Sequence, residues 1–196
     1  LLVGAGHSAQ TAVRELLGQG AGGAADTRVI WALRSEQPKL EPQVDDPLPE
    51  RARLTAAAAR LVADPPPALE VRKGVVVVAL ERRKGEVDVT LRRADGTTES
   101  VAVNRILALT GRVGNHQIYR QLQVHECYAT CGPMKLSAAL LSADSSAAGG
   151  DCLAQTSQGA DTLLNPEPGF FILGSKSYGR RTDFLMRVGW DQVAEV

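Results

Sequence analysis

Near the start of the chain, Gly4-x-Gly6-x-x-Ala9 has the spacing of a phosphate-binding turn. It follows the apolar run Leu1–Val3 and precedes Ala9, Val13, Leu16 and Leu17 at helical spacing, the context in which this fingerprint carries meaning. Gly4 permits the tight bend, Gly6 lets the backbone approach a pyrophosphate, and Ala9 is small enough for helix and strand to pack closely. The amides at the helix start, around His7 and Ser8, then face the anion. The chemistry these residues point to is dinucleotide binding; the alternative is a close-packed glycine turn without ligand. His7 has two readings, a hydrogen bond to phosphate or an exposed loop histidine with no chemical task.

The end of the second strand selects the dinucleotide. An acidic residue there would accept hydrogen bonds from the ribose hydroxyls of NAD, whereas Arg34-Ser35 offers a guanidinium and a hydroxyl that would neutralise a 2′-phosphate. This favours NADPH. Glu36 pulls the other way, and a solvated strand-end charge is the alternative for Arg34.

Other reactive side chains are sparse. Three cysteines, Cys127, Cys131 and Cys152, are too few for a disulfide scaffold and lack the paired spacing of a zinc site, so a reducing, cytoplasmic setting is expected. Cys127 and Cys131, four apart, would share a helix face as a redox pair, against the alternative of ordinary unpaired thiols. Asp183 is expected to act on a helix dipole rather than as an acid catalyst.

The elements that must position these groups follow from periodicity. Leu1–Val3, a helix over Ser8–Leu17 and a strand at Arg28–Leu33 make one βαβ unit, with a glycine-rich loop over Gln19–Asp26 between helix and second strand. Ser35–Pro49 reads as an exposed loop, and Pro49–Ala63 as a helix ended by Pro65-Pro66-Pro67. Gly74–Leu80, the alternating Val87, Val89 and Leu91, and Ser100–Val103 form an antiparallel meander turned at Ala94-Asp95-Gly96. It is inserted before another parallel strand, Arg105–Leu109, which runs into Thr110-Gly111. A crossover helix is needed between parallel neighbours, so strands at Leu1–Val3, Arg28–Leu33 and Arg105–Leu109 are expected in one parallel sheet. Beyond Gly111 we expect a helix at Pro133–Leu141, a flexible stretch at Ser142–Gly150, a buried strand at Gly169–Gly174, a turn at Ser175–Arg181, and a helix capped by Thr182 that buries Phe184, Leu185, Val188 and Val193. Tyr178 and Arg180 would either line a cofactor pocket or pack and solvate that turn.

Composition bounds the answer. The 196 residues carry 22 Lys+Arg against 22 Asp+Glu, which leaves no basic footprint for nucleic acid or anionic membrane. No apolar run approaches the ~18 residues of a membrane span. With 44% hydrophobic residues the chain can form a core, and 19 Gly plus 10 Pro fall well below the ~25–30% that reads as low complexity. The partner expected is a small-molecule substrate.

Val3-Gly4-Ala5-Gly6-His7-Ser8-Ala9 resembles the second glycine fingerprint of flavin-containing monooxygenases and related two-dinucleotide-binding flavoproteins. Leu107-Ala108-Leu109-Thr110-Gly111-Arg112 looks like the segment by which such chains return from the NADPH domain to the FAD domain, and Phe170-Phe171-Ile172-Leu173-Gly174 resembles the last strand of the FAD domain. The resemblance implies a Rossmann-like NAD(P)H-binding domain over 1–105 with the meander at about 74–103, and the C-terminal part of an FAD-binding domain over 106–196. It implies FAD and NADP as cofactors, with NADPH reducing FAD, and it places Thr110, Gly111, Gly174, Ser175, Lys176 and Tyr178 beside cofactor. The chain departs from that pattern at Ser175-Lys176, where relatives place Asp on the flavin ribityl chain; Ser175, Ser177 or backbone amides would substitute, with Lys176 or Arg180 favouring a reduced, anionic flavin. The fingerprint for the ADP half of FAD is missing, and Leu1 opens inside a strand, so a piece of a longer protein is expected. The alternatives are a non-enzymatic NADP(H) sensor and a pyridine-nucleotide-disulfide-type reductase, although the cysteines lack the CxxC or CxxxxC spacing of the latter.

Overall fold

A computed structural model describes residues 1–18, 27–42, 48–146 and 155–196. The glycine-rich loop, part of the Ser35–Pro49 loop, Gly150 and Cys152 lie outside the described residues. The chain divides into two compact units, Leu1–Gly111 and Arg112–Val196.

The first unit runs β1 (Leu2–Val3), α1 (His7–Gly18), β2 (Val29–Ala32), α2 (Pro49–Ala63), β3 (Leu69–Arg72), β4 (Val75–Arg83), β5 (Glu86–Arg93), β6 (Thr98–Val103) and β7 (Leu107–Ala108). β1, β2, β3 and β7 form one sheet in the order β3-β2-β1-β7, and β4-β5-β6 form a second. The expected parallel pairing is present: Leu2 lies opposite both Trp31 and Leu107. β3 was not anticipated, because only a few residues separate Pro67 from Gly74 and their hydrophobicity is modest. Its partner makes it a strand, through parallel pairing from Val29↔Leu69 to Ala32↔Arg72.

The two-residue alternation along these strands sorts the side chains into two cores. Leu2, Val29, Trp31, Leu33 and Leu69 face Ala9 and Val13 of α1 and Ala58 of α2. Ile30, Ala32, Leu1 and Val3 face Val75, Val89, Leu91 and Val103 of the meander. A parallel sheet is stable only when both faces are covered. Helices cover one face here and the meander the other.

In the second unit, α3 (Met134–Ser146) and α4 (Met186–Glu195) pack with a 3₁₀ turn at Ala160–Leu163 around Leu136, Leu140, Leu163, Tyr178 and Val188. Three expectations are corrected. Residues 142–146 continue α3 rather than forming a flexible stretch. Gly169–Gly174 is not a strand: among the described residues of this unit the sole β pairing is the bridge Glu126↔Pro133, and the Phe170 carbonyl accepts from Asn165 Nδ2 instead of a neighbouring strand. Thr182 does not cap the last helix, which begins after Leu185 in extended conformation, because Phe184 and Leu185 are drawn onto the core. Val188 is buried and Val193 is 65% exposed, since five residues of helix turn the side chain well away from the buried face that Val188 and Gln192 share.

Leu2 is fully buried between α1 and its strand neighbours. Leu2→Ala should destabilise the first unit by about 2–5 kcal/mol. The expected readout is a lower urea midpoint at unchanged m.

Candidate functional site

The glycine turn lies at the C-terminal edge of the parallel sheet, where the strand order reverses between β1 and β7. Open α/β sheets bind ligands in that crevice. Gly4 has φ +130°, and a Cβ there would lie 2.2 Å from the Leu109 carbonyl oxygen, so glycine is required twice over. Gly6 differs: a Cβ would meet nothing within 4 Å. The α1 hydrogen bonding begins when Ala9 and Gln10 amides donate to the Gly6 carbonyl at 2.9 and 3.0 Å. The preceding amides at His7 and Ser8 have no intrahelical acceptor. Both residues are exposed, and Ala9 is fully buried against the sheet.

Two side chains that the sequence reading passed over hold this turn. Trp31, fully buried on β2, donates from Nε1 to the Gly4 carbonyl at 2.7 Å. Gln10, also buried, donates from Nε2 to the Ala5 carbonyl at 3.0 Å, while its Oε1 accepts from Thr55 Oγ1 of α2 at 3.2 Å. The carbonyls of the turn are thereby drawn inward. A buried tryptophan needs a partner for its N–H, which is the one sequence signal that pointed here.

Arg34 and Ser35 follow β2 and are exposed. Arg34 makes no ion pair among the described residues. Ser35 is otherwise occupied: its hydroxyl donates to the Gln37 carbonyl at 2.8 Å and accepts from the Gln37 amide at 3.1 Å. Its only proton is spent locally. The Glu36 carboxylate lies over Gly74, where a Cβ would come within 1.8 Å of Oε1. His7 opens α1 and lines a shallow groove of about 320 Å³ with Arg14, Glu50, Arg51 and Leu54. Thr110 and Gly111 (φ +90°) are exposed beyond β7.

In the second unit, Gly174 (φ +67°) opens a 3₁₀ turn through Lys176. Gln192 of α4 holds it, accepting from the Gly174 amide at 2.8 Å and donating to Ser177 Oγ at 3.0 Å. Ser177 is buried, and its hydroxyl donates to the Gly174 carbonyl at 2.8 Å. Ser175 and Arg180 are exposed. Tyr178, with 1% of its surface exposed, packs edge-on against Phe184, so packing rather than pocket lining describes it. Burial, then the Asp183 charge, pushes its hydroxyl above the usual tyrosine value. Asp183 lies outside the first turn of α4 and pairs with Arg181, whose Nε donates at 3.0 Å; it serves this ion pair rather than the helix dipole.

Lys176 donates to the Asn115 carbonyl at 2.9 Å, with its ammonium 5.6 Å from the centre of the Tyr119 ring. Tyr119 donates to Glu126 Oε1 at 3.1 Å, and the same oxygen meets His116 Nδ1. Burial and the neighbouring carboxylate raise the Tyr119 hydroxyl. A methyl at Gly114 would lie 3.0 Å from Lys176 Cγ and 3.1 Å from His116 Nε2. No sequence motif marks these residues, which converge only through folding. Cys127 and Cys131 do not share a helix face; they end a tight turn before α3. No group of three or more His, Cys, Asp or Glu able to hold a metal gathers among the described residues. No helix among them is long and apolar enough to cross a membrane.

The chain is similar in structure to bacillithiol disulfide reductase Bdr from Bacillus cereus, at 16% identity and a TM-score of 0.59, over 98% of this chain and 47% of that one. The fold is flavoprotein-like. Bdr from Staphylococcus aureus gives a TM-score of 0.58 at 13% identity, over 97% of this chain and 46% of that chain. L-lysine 6-monooxygenase from Pseudomonas syringae is similar over 65% of this chain and 39% of its own, at 16% identity and a TM-score of 0.48. The chain thus spans about half the length of the Bdr structures it matches. No family model and no curated protein matches it.

The two glycines should respond oppositely to alanine. Gly4→Ala forces a side chain into a backbone region that costs about 1–3 kcal/mol, before the overlap with Leu109 is counted. Gly6→Ala should change stability by no more than about 0.5 kcal/mol. Chemical denaturation of both variants checks the contrast.

Proposed function

We propose that this chain binds NADPH through its first unit and works in a flavin-dependent oxidoreductase, in which NADPH supplies hydride to FAD. The observation that carries the reading is the glycine turn. Its carbonyls are held inward by Trp31 and Gln10, Gly6 is open to an approaching pyrophosphate, and the unsatisfied amides of a 12-residue helix stand beside it. Arg34 supports the choice of NADPH, as an exposed guanidinium at the end of β2 with no ion pair among the described residues. Ser35 contributes backbone geometry rather than a hydroxyl donor.

For FAD the second unit supplies less. Gly174 leaves open space beside an exposed Ser175, but no glycine fingerprint occurs between Arg112 and Val196 to grip the ADP half. The steps assigned to these residues are therefore those of holding and orienting the nicotinamide dinucleotide. Monooxygenation is the reaction suggested by the motifs at Gly4–Ala9 and Leu107–Arg112. Disulfide reduction is a second reading, supported by likeness to Bdr over nearly the whole chain. NADPH oxidation that requires oxygen supports the first; oxidation that requires an added disulfide supports the second.

Arg34→Ala should weaken NADPH by roughly 10- to 150-fold, the equivalent of about 1.5–3 kcal/mol for a charge-assisted contact. NADH should be little affected, and Ser35→Ala should leave the NADPH-to-NADH ratio nearly unchanged. Fluorescence titration with both nucleotides tests this; equal loss for both in Arg34→Ala would give Arg34 another role.

A further inference from the structure

Cys127 and Cys131 end a five-residue turn whose backbone is tied at both ends. The Cys131 amide donates to the Cys127 carbonyl at 2.8 Å, and the Cys127 amide donates to the Gly132 carbonyl at 2.8 Å. A turn closed between residues four apart sets its end Cα atoms about 6 Å apart, inside the roughly 4.4–6.8 Å that disulfides span. Both thiols are free and half-buried. Cys131, at φ +58°, is the one non-glycine residue with positive φ among the described residues. The left-handed backbone redirects its Cβ out of the helical course the turn would otherwise follow.

The base of the turn is anchored and its tip is open. Thr130 is buried; its hydroxyl bonds Ser137 Oγ at 2.7 Å, and its carbonyl accepts from the Arg180 amide at 2.6 Å. Gly179 presses on that carbonyl so closely that a Cβ would lie 2.0 Å from it. Tyr128, at the tip, is 99% exposed, and Ala129 is exposed beside it. The Thr130 hydroxyl and amide bond the Cys127 sulfur and hold its thiol below the ordinary value. Cys127 is thus favoured as thiolate, and the closed turn holds Cys131 beside it.

We infer that Cys127 and Cys131 form a dithiol site that reduces small disulfides, with Cys127 as the attacking and Cys131 as the resolving thiol. The Cys127 thiolate attacks one sulfur of the substrate disulfide. The S–S bond breaks, a mixed disulfide forms at Cys127, and the first thiolate leaves and takes a proton. The Cys131 thiolate then attacks Cys127 Sγ and releases the second thiol, so the substrate gains two electrons and the protein dithiol becomes a disulfide. A second dithiol or two thiols reverse the process. The site stands apart from the nucleotide reading, because its half-reaction needs neither NADPH nor flavin.

The test uses the reduced protein and 2-hydroxyethyl disulfide, without nucleotide. Trypsin cuts after Arg120 and Lys135, so one peptide, 121–135, carries both cysteines while Cys152 falls elsewhere. Mass spectrometry should find this peptide lighter by two hydrogens and closed to iodoacetamide, with Cys152 still alkylated. Cys131→Ser should stop at a mixed disulfide on Cys127, and Cys127→Ser should react several-fold more slowly. Both peptide cysteines remaining open to alkylation after treatment would overturn the site, as would equal rates of adduct formation in the two serine variants. The wild-type peptide decides the disulfide by itself, and the two rates are compared on serine variants whose circular dichroism matches the parent.

Discussion

The first unit depends on one close approach, that of Gly4 to the Leu109 carbonyl. β1 and β7 are two residues long, so their ladder supplies few hydrogen bonds, and the sheet edge that carries the turn must be secured by other means. The Gly4 amide donates to Ala32 and the Leu109 amide to Val3, at 3.2 and 2.8 Å, which extends the ladder past the last paired residues on both sides. Trp31 and Gln10 then take the carbonyls of Gly4 and Ala5. With its carbonyls directed into the protein, the turn presents amides at the helix start, where the partial positive charge of α1 lies. The anion site we propose rests on where these carbonyls are spent.

A second constraint explains the meander. Its inner residues, Val75, Val89, Leu91 and Val103, bury the face of the parallel sheet that α1 and α2 leave uncovered. Without it Ile30 and Ala32 would face water. The outer part of β4 serves no core, since Leu80 is 60% exposed and a register shift near Val78 interrupts its pairing with β5.

The two units use the same device to hold a glycine turn. Gln10 in α1 and Gln192 in α4 are buried glutamines that satisfy backbone groups of a turn at the start of or beside their helix. A glutamine amide offers both donor and acceptor, so a single side chain bridges two polar groups that would otherwise be costly to bury. In the second unit this matters more, because the core around Leu136, Leu163, Tyr178 and Val188 is small and the segment at 170–173 has no ladder.

By itself the sequence determined the parts whose signals are local. Gly4, Gly6 and Ala9, following Leu1–Val3, specify strand, turn and helix through backbone freedom and periodicity. Alternation in Val87, Val89 and Leu91 specifies a strand, and Pro65-Pro66-Pro67 ends α2 because proline lacks the donor a helix needs. Tertiary structure decided what depends on partners. Leu69–Arg72 became a strand because β2 offered it a ladder, whereas Phe170–Leu173, more apolar, did not because no strand among the described residues lies beside it. Ser35 committed its hydroxyl hydrogen bond to the Gln37 carbonyl, Tyr178 went to the core, and His116, Tyr119, Glu126 and Lys176 met across more than fifty residues of chain. Periodicity records which face of a segment is apolar. It does not record which polar atom finds another, since that is settled by distances that exist only after the chain has closed on itself.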